Sequence, residues 1–167
     1  MQTWLEKVTK LVRTETNLRD VHAILVHRDA DYLDSEHQEE QRLREQLREH
    51  LASHVPTERL HPIVPVQELE SWWLLFPDAI RAVKPEAWRE LKSPEGDTAK
   101  VTNPKEKLQE ATRKAARTRG KRSGDHEYRE SDSPEIARQI VEILRRGGTA
   151  SGRNASWDRF LDIAASL

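Results

Sequence analysis

Two aspartates, Asp29 and Asp31, directly follow a short apolar segment, residues 21–26. This segment is rich in β-branched residues and predicts a strand buried on both faces, as in a parallel sheet. Because alternate side chains of an extended chain point the same way, both carboxylates project together from the end of that strand, and His27 shares their face. Paired carboxylates suit Mg²⁺ or Mn²⁺. The spacing therefore predicts a divalent-cation site, and the alternative is a polar turn that caps the next helix.

A second acidic pair, Glu68 and Glu70, follows the second predicted strand, residues 60–66, and precedes the apolar run 72–76. The carboxyl ends of parallel strands open at the same edge of a sheet, so we expect this pair near Asp29. A helix here separates the two glutamates by about 200° and lets only one face the site. The alternative is a glutamate that merely flanks a buried aromatic core. The candidate catalytic residues are Asp29, Asp31, Glu68 and Glu70, and the candidate metal ligands are Asp29, Asp31 and Glu70.

Charge is separated along the chain although its formal net value is only −1. Residues 105–122 hold eight basic residues against two acidic ones, a net of +6, whereas residues 29–49 hold eight acidic residues against three basic ones, a net of −5. A basic helix beside an acidic metal site suits a phosphodiester substrate, because cations hold phosphates while the metal activates water. The alternative is a solvated face, or one that pairs with the acidic helix. The candidate nucleic-acid contacts are Arg113, Lys114, Arg117, Arg119, Lys121 and Arg122.

The elements that must position these residues predict an α/β fold, a small parallel sheet flanked by helices with a helix-rich C-terminal half. Apolar residues make up only 35% of the chain, so its core is thin or completed by a partner. Helices are expected at 4–18 and 35–52, around the first strand, and short ones at 67–76, 78–83 and 86–91. Further helices are expected at 105–118, from 133, and at 156–167, with a flexible stretch at 119–133. We expect one domain, 1–167, made of an α/β part (1–91), a basic helix with a flexible loop (92–133) and C-terminal helices (134–167).

Several classes of function are excluded by what the sequence lacks. There is no cysteine, which excludes a disulfide scaffold, a thiolate zinc site and a cysteine nucleophile. Phosphate-binding glycine motifs and a nucleophile elbow are also missing. No apolar run approaches the length of a membrane span and the first residues lack the apolar stretch of a signal peptide, so we expect a cytoplasmic protein without a membrane partner.

The order of these motifs resembles the RloG-like family, which is similar to Toprim-like domains. The resemblance runs through "HRDAD" (27–31), "VQELESWWLLFPDAI" (66–80), "NPKEKLQEA" (103–111), "YRESDSPEIARQI" (128–140) and "SWDRFLDIAASL" (156–167). Within it, Asp29 and Asp31 match an acidic D-x-D motif, and Glu68 or Glu70 matches a later acidic and aromatic motif. The resemblance implies a Toprim-like fold and a Mg²⁺- or Mn²⁺-dependent nuclease, or a nuclease-derived subunit, of a prokaryotic defence-type system acting on nucleic acid with an ATPase partner.

One departure from the Toprim-like pattern bears on catalysis. A Toprim-like domain begins with a strand that ends in a glutamate, whereas here Met1 stands at the start of the first helix. We therefore expect the usual first strand and its glutamate to be missing, by a late start, a shortened chain or loss of the residue. Without that glutamate, the alternative to a nuclease is a non-catalytic interaction subunit that keeps the fold. A third alternative is nucleic-acid binding through the basic helix alone, with steep salt dependence and no metal requirement.

Overall fold

The computed structural model describes residues 3–30, 36–92, 96–121, 124 and 126–167. Helices and two strands alternate in the first half, and helices dominate the second. The elements in chain order are α1 (Trp4–Leu18), β1 (Ile24–His27), α2 (Glu36–Leu51), β2 (Leu60–Ile63), α3 (Glu70–Trp73), α4 (Pro77–Val83), α5 (Pro85–Trp88), α6 (Pro104–Thr118), α7 (Ser133–Arg145) and α8 (Ala155–Ser166), with single 3₁₀ turns at Thr57–Arg59, Thr98–Lys100 and Glu130–Asp132.

The sheet consists of β1 and β2 paired in parallel, with Ile24 opposite Leu60. An isolated bridge between Ala30 and Val66 continues the pairing beyond both strands. The prediction of a small parallel sheet flanked by helices is therefore confirmed. The carboxyl ends of the two strands meet at one edge, which is where the two acidic motifs begin.

The helices on either side of β1 form for reasons visible in the sequence. A capping box starts α1, since the Glu6 N–H donates to Thr3 Oγ1 at 3.3 Å and the Thr3 N–H donates to Glu6 Oε2 at 2.8 Å. In α2 the leucines at intervals of four, Leu43, Leu47 and Leu51, are all fully buried. They form the apolar face that holds this otherwise charged helix against the sheet.

Three boundaries differ from the sequence prediction, each for a local reason. The first strand begins at Ile24 and not at residue 21, because the Val21 carbonyl accepts a hydrogen bond from Arg59 Nη1 at 2.8 Å and stays in a loop. The second strand ends at Ile63, since the prolines that follow and interrupt it have no N–H to donate. Helix α3 begins only at Glu70 because Gln67 has a φ of 63°.

Two apolar clusters form the core, and β2 contributes to both. One lies between α1, α2 and the sheet and includes Val26, Leu47 and Leu60. The other is larger and aromatic, and it joins α3–α8 with Ile63. Within it, the Trp72 and Trp157 rings pack edge to face with centroids 5.4 Å apart.

Part of the stretch expected to be flexible, 119–133, is tightly held. Gly120, at a φ of 67°, ends α6 in a Schellman motif: its N–H donates to the Arg117 carbonyl, and the Lys121 N–H donates to the Ala116 carbonyl. Further on, Tyr128 is fully buried in the aromatic cluster. A lone aromatic between polar residues gave no periodic signal, so sequence pattern missed this anchor. Among the described residues, no helix is long and apolar enough to cross a membrane.

Candidate functional site

Asp29 lies at the predicted sheet edge and is exposed to solvent. Its Oδ1 is 2.8 Å from Nε2 of His27, the residue two positions earlier on the same face of the strand. The pair lines an open cavity of about 510 Å³ together with Trp4, Arg28 and Gln46. Asp31, its predicted partner, lies outside the described residues. Asp29 therefore lies at the end of the first strand, as the sequence predicted, and it contacts the His27 imidazole.

Glu68 leaves the sheet edge and turns toward the start of α6. Its Oε2 accepts a hydrogen bond at 3.0 Å from the Lys105 N–H, one of the free amides of the first turn of that helix. Burial raises the pKa of Glu68, and the neighbouring charges of Glu70 and Glu106 raise it further, while the bond from Lys105 acts in the opposite direction. The carboxyl group thus links the second acidic motif to the basic helix.

The backbone on both sides of that contact is strained. Gln67 and Asn103 both have positive φ values, 63° and 52°, an uncommon conformation for residues other than glycine. The Asn103 N–H donates to Gln67 Oε1 at 3.2 Å, so the two strained residues are tied together. This connection runs beside the Glu68–Lys105 bond and fixes the end of the sheet against the start of α6.

Glu70 is buried, with 8% of its surface exposed, and contacts a tyrosine that the sequence analysis did not single out. The Tyr128 hydroxyl donates to Glu70 Oε1 at 2.7 Å and lies 2.6 Å from Ser133 Oγ. Since the single tyrosine proton goes to Glu70, Ser133 donates to Tyr128, and Ser133 in turn accepts from Trp73 Nε1 at 3.2 Å. The result is a directed chain of hydrogen bonds that ends on a carboxyl group.

Burial is also the largest influence on Tyr128 itself. It raises the pKa of the phenol well above its ordinary value, and the hydrogen bond to Glu70 acts in the same direction, while that to Ser133 lowers it. The phenol therefore stays protonated and keeps its role as donor. The arrangement is typical of a buried polar anchor between α3 and α7.

Within the part of the chain that the structure describes, the side chains of the two predicted acidic motifs do not come together into one cluster. Asp29 contacts His27, Glu68 contacts the first turn of α6, and Glu70 contacts Tyr128. Among the described residues, no group of three or more His, Cys, Asp or Glu side chains could hold a metal ion. These residues alone therefore do not fit a divalent-cation centre, and the predicted ligand Asp31 is not among them.

The cations of α6 divide into paired and unpaired ones. Arg113 pairs with Glu127 at 3.0 Å, and Lys105 pairs with Glu130. Lys107 also pairs, with Glu110 at 3.9 Å. The four cations that remain lie at the last turn of α6 and its Schellman turn, are exposed, and have no acidic partner within the described ranges. We call this surface the α6 cationic patch, and it comprises Lys114, Arg117, Arg119 and Lys121. Arg122 lies outside the described residues.

A groove of about 530 Å³ runs beside α6 and is distinct in character from the patch. Its floor is apolar, and its rim carries both signs of charge, including Lys92, Lys107, Glu90 and Glu110. The negative charges of these two glutamates repel a polyanion from the groove. The cationic character of α6 is therefore concentrated at its carboxyl end, beyond this groove, with Lys114 shared between the two.

Comparisons with family models, with curated proteins and with solved structures found no match to this chain.

Proposed function

We propose that this chain is a nuclease-derived, Toprim-like subunit that binds nucleic acid through the α6 cationic patch without cleaving it. The observation that carries the proposal is the set of exposed cations on an ordered helix end that have no acidic partner among the described residues. The opposite face of α6 is anchored in the core by Leu108, Thr112 and Ala116, so the patch is presented rigidly. The parallel pair β1–β2, with an acidic residue beyond each strand, supports the Toprim-like relationship.

The chemistry of the patch favours phosphate contacts over base recognition. Lys and Arg neutralise backbone phosphates and release counterions, which gives binding that weakens steeply with salt. No aromatic residue interleaves with the cations between residues 105 and 122, so base stacking has no support there. The engaged carboxyl groups of Glu68 and Glu70 fit structural roles better than metal ligation, which favours binding without cleavage.

The proposal is tested by fluorescence anisotropy with a labelled DNA duplex at several salt concentrations, in the presence of EDTA. We expect the variant Lys114→Gln/Arg117→Gln to bind about tenfold more weakly, with a slope of log affinity against log salt that is smaller by about 2. The matched control is Lys10→Gln/Arg13→Gln, which removes two exposed cations at the same spacing from α1. Equal affinity and slope for both variants would overturn the proposal.

A metal-dependent nuclease is the second candidate, and the bridge between Ala30 and Val66 favours it because both acidic motifs start at one edge. In that case the partner is an ATPase, as the family resemblance implies. The test is cleavage of plasmid DNA with Mg²⁺ or Mn²⁺ by wild type, by Asp29→Ala/Asp31→Ala, and by the control Asp20→Ala. Cleavage that is lost only in the double variant supports the nuclease, whereas no cleavage by wild type supports the non-cleaving subunit.

A further inference from the structure

Helix α1 carries an apolar stripe that the rest of the described chain leaves uncovered. Trp4, Leu11 and Leu18 are 44%, 62% and 75% exposed. They are spaced seven residues apart, which puts them on one face of the helix with only a small drift. The neighbouring face, with Val8 and Val12, packs into the cluster beneath α2. The apolar surface of α1 is thus wider than the part of it that packs against α2 and the sheet.

The stripe is symmetric about its centre, which indicates what covers it. Trp4 and Leu18 lie seven residues before and after Leu11, while Lys7 and Glu15 lie four residues before and after it. In an antiparallel pair of such helices centred on Leu11, each leucine faces its own copy. Trp4 of each copy then faces Leu18 of the other, and Lys7 of each copy faces Glu15 of the other. A twofold interface of this kind needs a self-complementary surface, and this stripe is one.

We propose that α1 is the interface of an antiparallel homodimer centred on Leu11. Charge complementarity argues for a second copy of this chain over an unrelated partner, because this arrangement places Glu15 of the second copy opposite Lys7, which has no acidic partner among the described residues. Glu15 already pairs with Arg19 at 2.5 Å, so each carboxylate sits between two cations in the dimer. The interface is separate from the α6 cationic patch and does not depend on nucleic-acid binding.

The size of the surface sets the expected strength. A helix of 15 residues is about 22 Å long, and a single helix pair covers less than the roughly 800 Å² per partner of a standard interface. We therefore expect a reversible dimer with a dissociation constant in the micromolar range. Ionic strength should weaken it modestly, since its flanking ion pairs are exposed.

Sedimentation equilibrium of the full chain tests the interface. The substitution Leu11→Glu places two like charges on the twofold axis, and we expect it to weaken dimerisation by at least about tenfold. The matched control is Val141→Glu, which adds the same charge at a residue of α7 that is 44% exposed, and it should dimerise like wild type. A monomeric wild type at millimolar concentration, or equal effects of the two substitutions, would overturn the proposal.

Charge exchange and cross-linking test the antiparallel arrangement. Lys7→Glu should weaken the dimer, and Lys7→Glu/Glu15→Lys should restore it. Binding of α1 to an unrelated partner would not explain such a restoration. Because the chain has no cysteine, an equimolar mixture of Trp4→Cys and Leu18→Cys should give a disulfide-linked heterodimer under mild oxidation, in excess of either homodimer. Predominant cross-linking within Trp4→Cys alone indicates a parallel pair and contradicts the proposal.

Discussion

At the scale of single residues, the two glutamates of the second acidic motif make hydrogen bonds that hold the fold together. Each is engaged by an element far away in sequence: Glu68 by the first turn of α6 and Glu70 by Tyr128. The expectation from the sequence was that a helix over both would turn them apart, but α3 begins only at Glu70, so Glu68 lies before the helix. Sequence spacing could not indicate their partners, since those lie 37 and 58 residues further along the chain.

Tyr128→Phe tests the buried anchor. The substitution removes the hydroxyl that donates to Glu70 and leaves the carboxyl oxygen without its protein partner in a buried site. We expect a loss of about 2 kcal/mol in the free energy of unfolding, measured by urea denaturation at neutral pH. The control Ser133→Ala, which keeps the Tyr128–Glu70 bond, should cost about 1 kcal/mol. Wild-type stability in Tyr128→Phe would show that the chain of hydrogen bonds contributes nothing.

Glu68→Gln tests the link between the acidic motif and α6 through its pH dependence. The pKa of Glu68 is raised in the folded state, so the folded protein binds its proton more tightly than the unfolded chain does. The contribution of Glu68 to stability is therefore fully present below pH 4.5 and is lost as the pH rises through the raised value. Gln keeps an acceptor for the Lys105 N–H and does not titrate.

We accordingly expect wild type to lose stability relative to Glu68→Gln as the pH rises from the acid range toward neutrality. Urea unfolding of both proteins across that range measures the difference. A difference that stays constant, or one of the opposite sign, would contradict the burial of this carboxyl group.

At the scale of elements, strong periodicity made the helices predictable, whereas local contacts and prolines set the ends of the strands. Apolar residues at helical spacing in α1 and leucines at intervals of four in α2 predict both helices nearly to the residue, and α6 begins one residue before its predicted start. Strand ends were less accurate because prolines and the Arg59 contact with Val21 shorten them. The buried position of Tyr128 had no periodic signal at all, so the anchor between α3 and α7 could not be predicted.

The end of α6 is the element on which the proposed nucleic-acid contact depends. Gly120 adopts a φ of 67°, which costs other residues about 1 kcal/mol, and nothing lies within 4 Å of an added Cβ. Gly120→Ala should therefore lower the free energy of unfolding by about 1 kcal/mol through the backbone alone and loosen the Schellman turn that carries Arg119 and Lys121.

The matched control is Gly124→Ala, which also meets no atom within 4 Å but does not have a positive φ. We expect it to change stability by less than about 0.5 kcal/mol. Urea unfolding measures both variants, and anisotropy with labelled DNA shows whether weaker binding accompanies the loosened turn. Equal stability of the two variants would show that the Schellman turn is not what orders the patch.

At the scale of the whole molecule, the question is how two apolar clusters behave as one protein. Strand β2 joins them, since its Leu60 packs into the cluster beneath α2 while its Ile63 packs into the aromatic one. A second connection is the Val66 N–H, which donates to Ser156 Oγ at 3.4 Å. Because a single short strand supplies side chains to both clusters, loss of one cluster should remove the support of the other.

Leu47→Ala tests this coupling. Leu47 is fully buried in the cluster beneath α2, and its truncation should cost about 2–5 kcal/mol. Four of the five tryptophans lie in the aromatic cluster, so fluorescence reports mainly on the other half of the molecule, whereas circular dichroism reports on all helices. If the clusters unfold together, both signals shift to the same lower urea midpoint. A fluorescence midpoint that stays at the wild-type value while the dichroism midpoint falls would mean that the two clusters unfold independently.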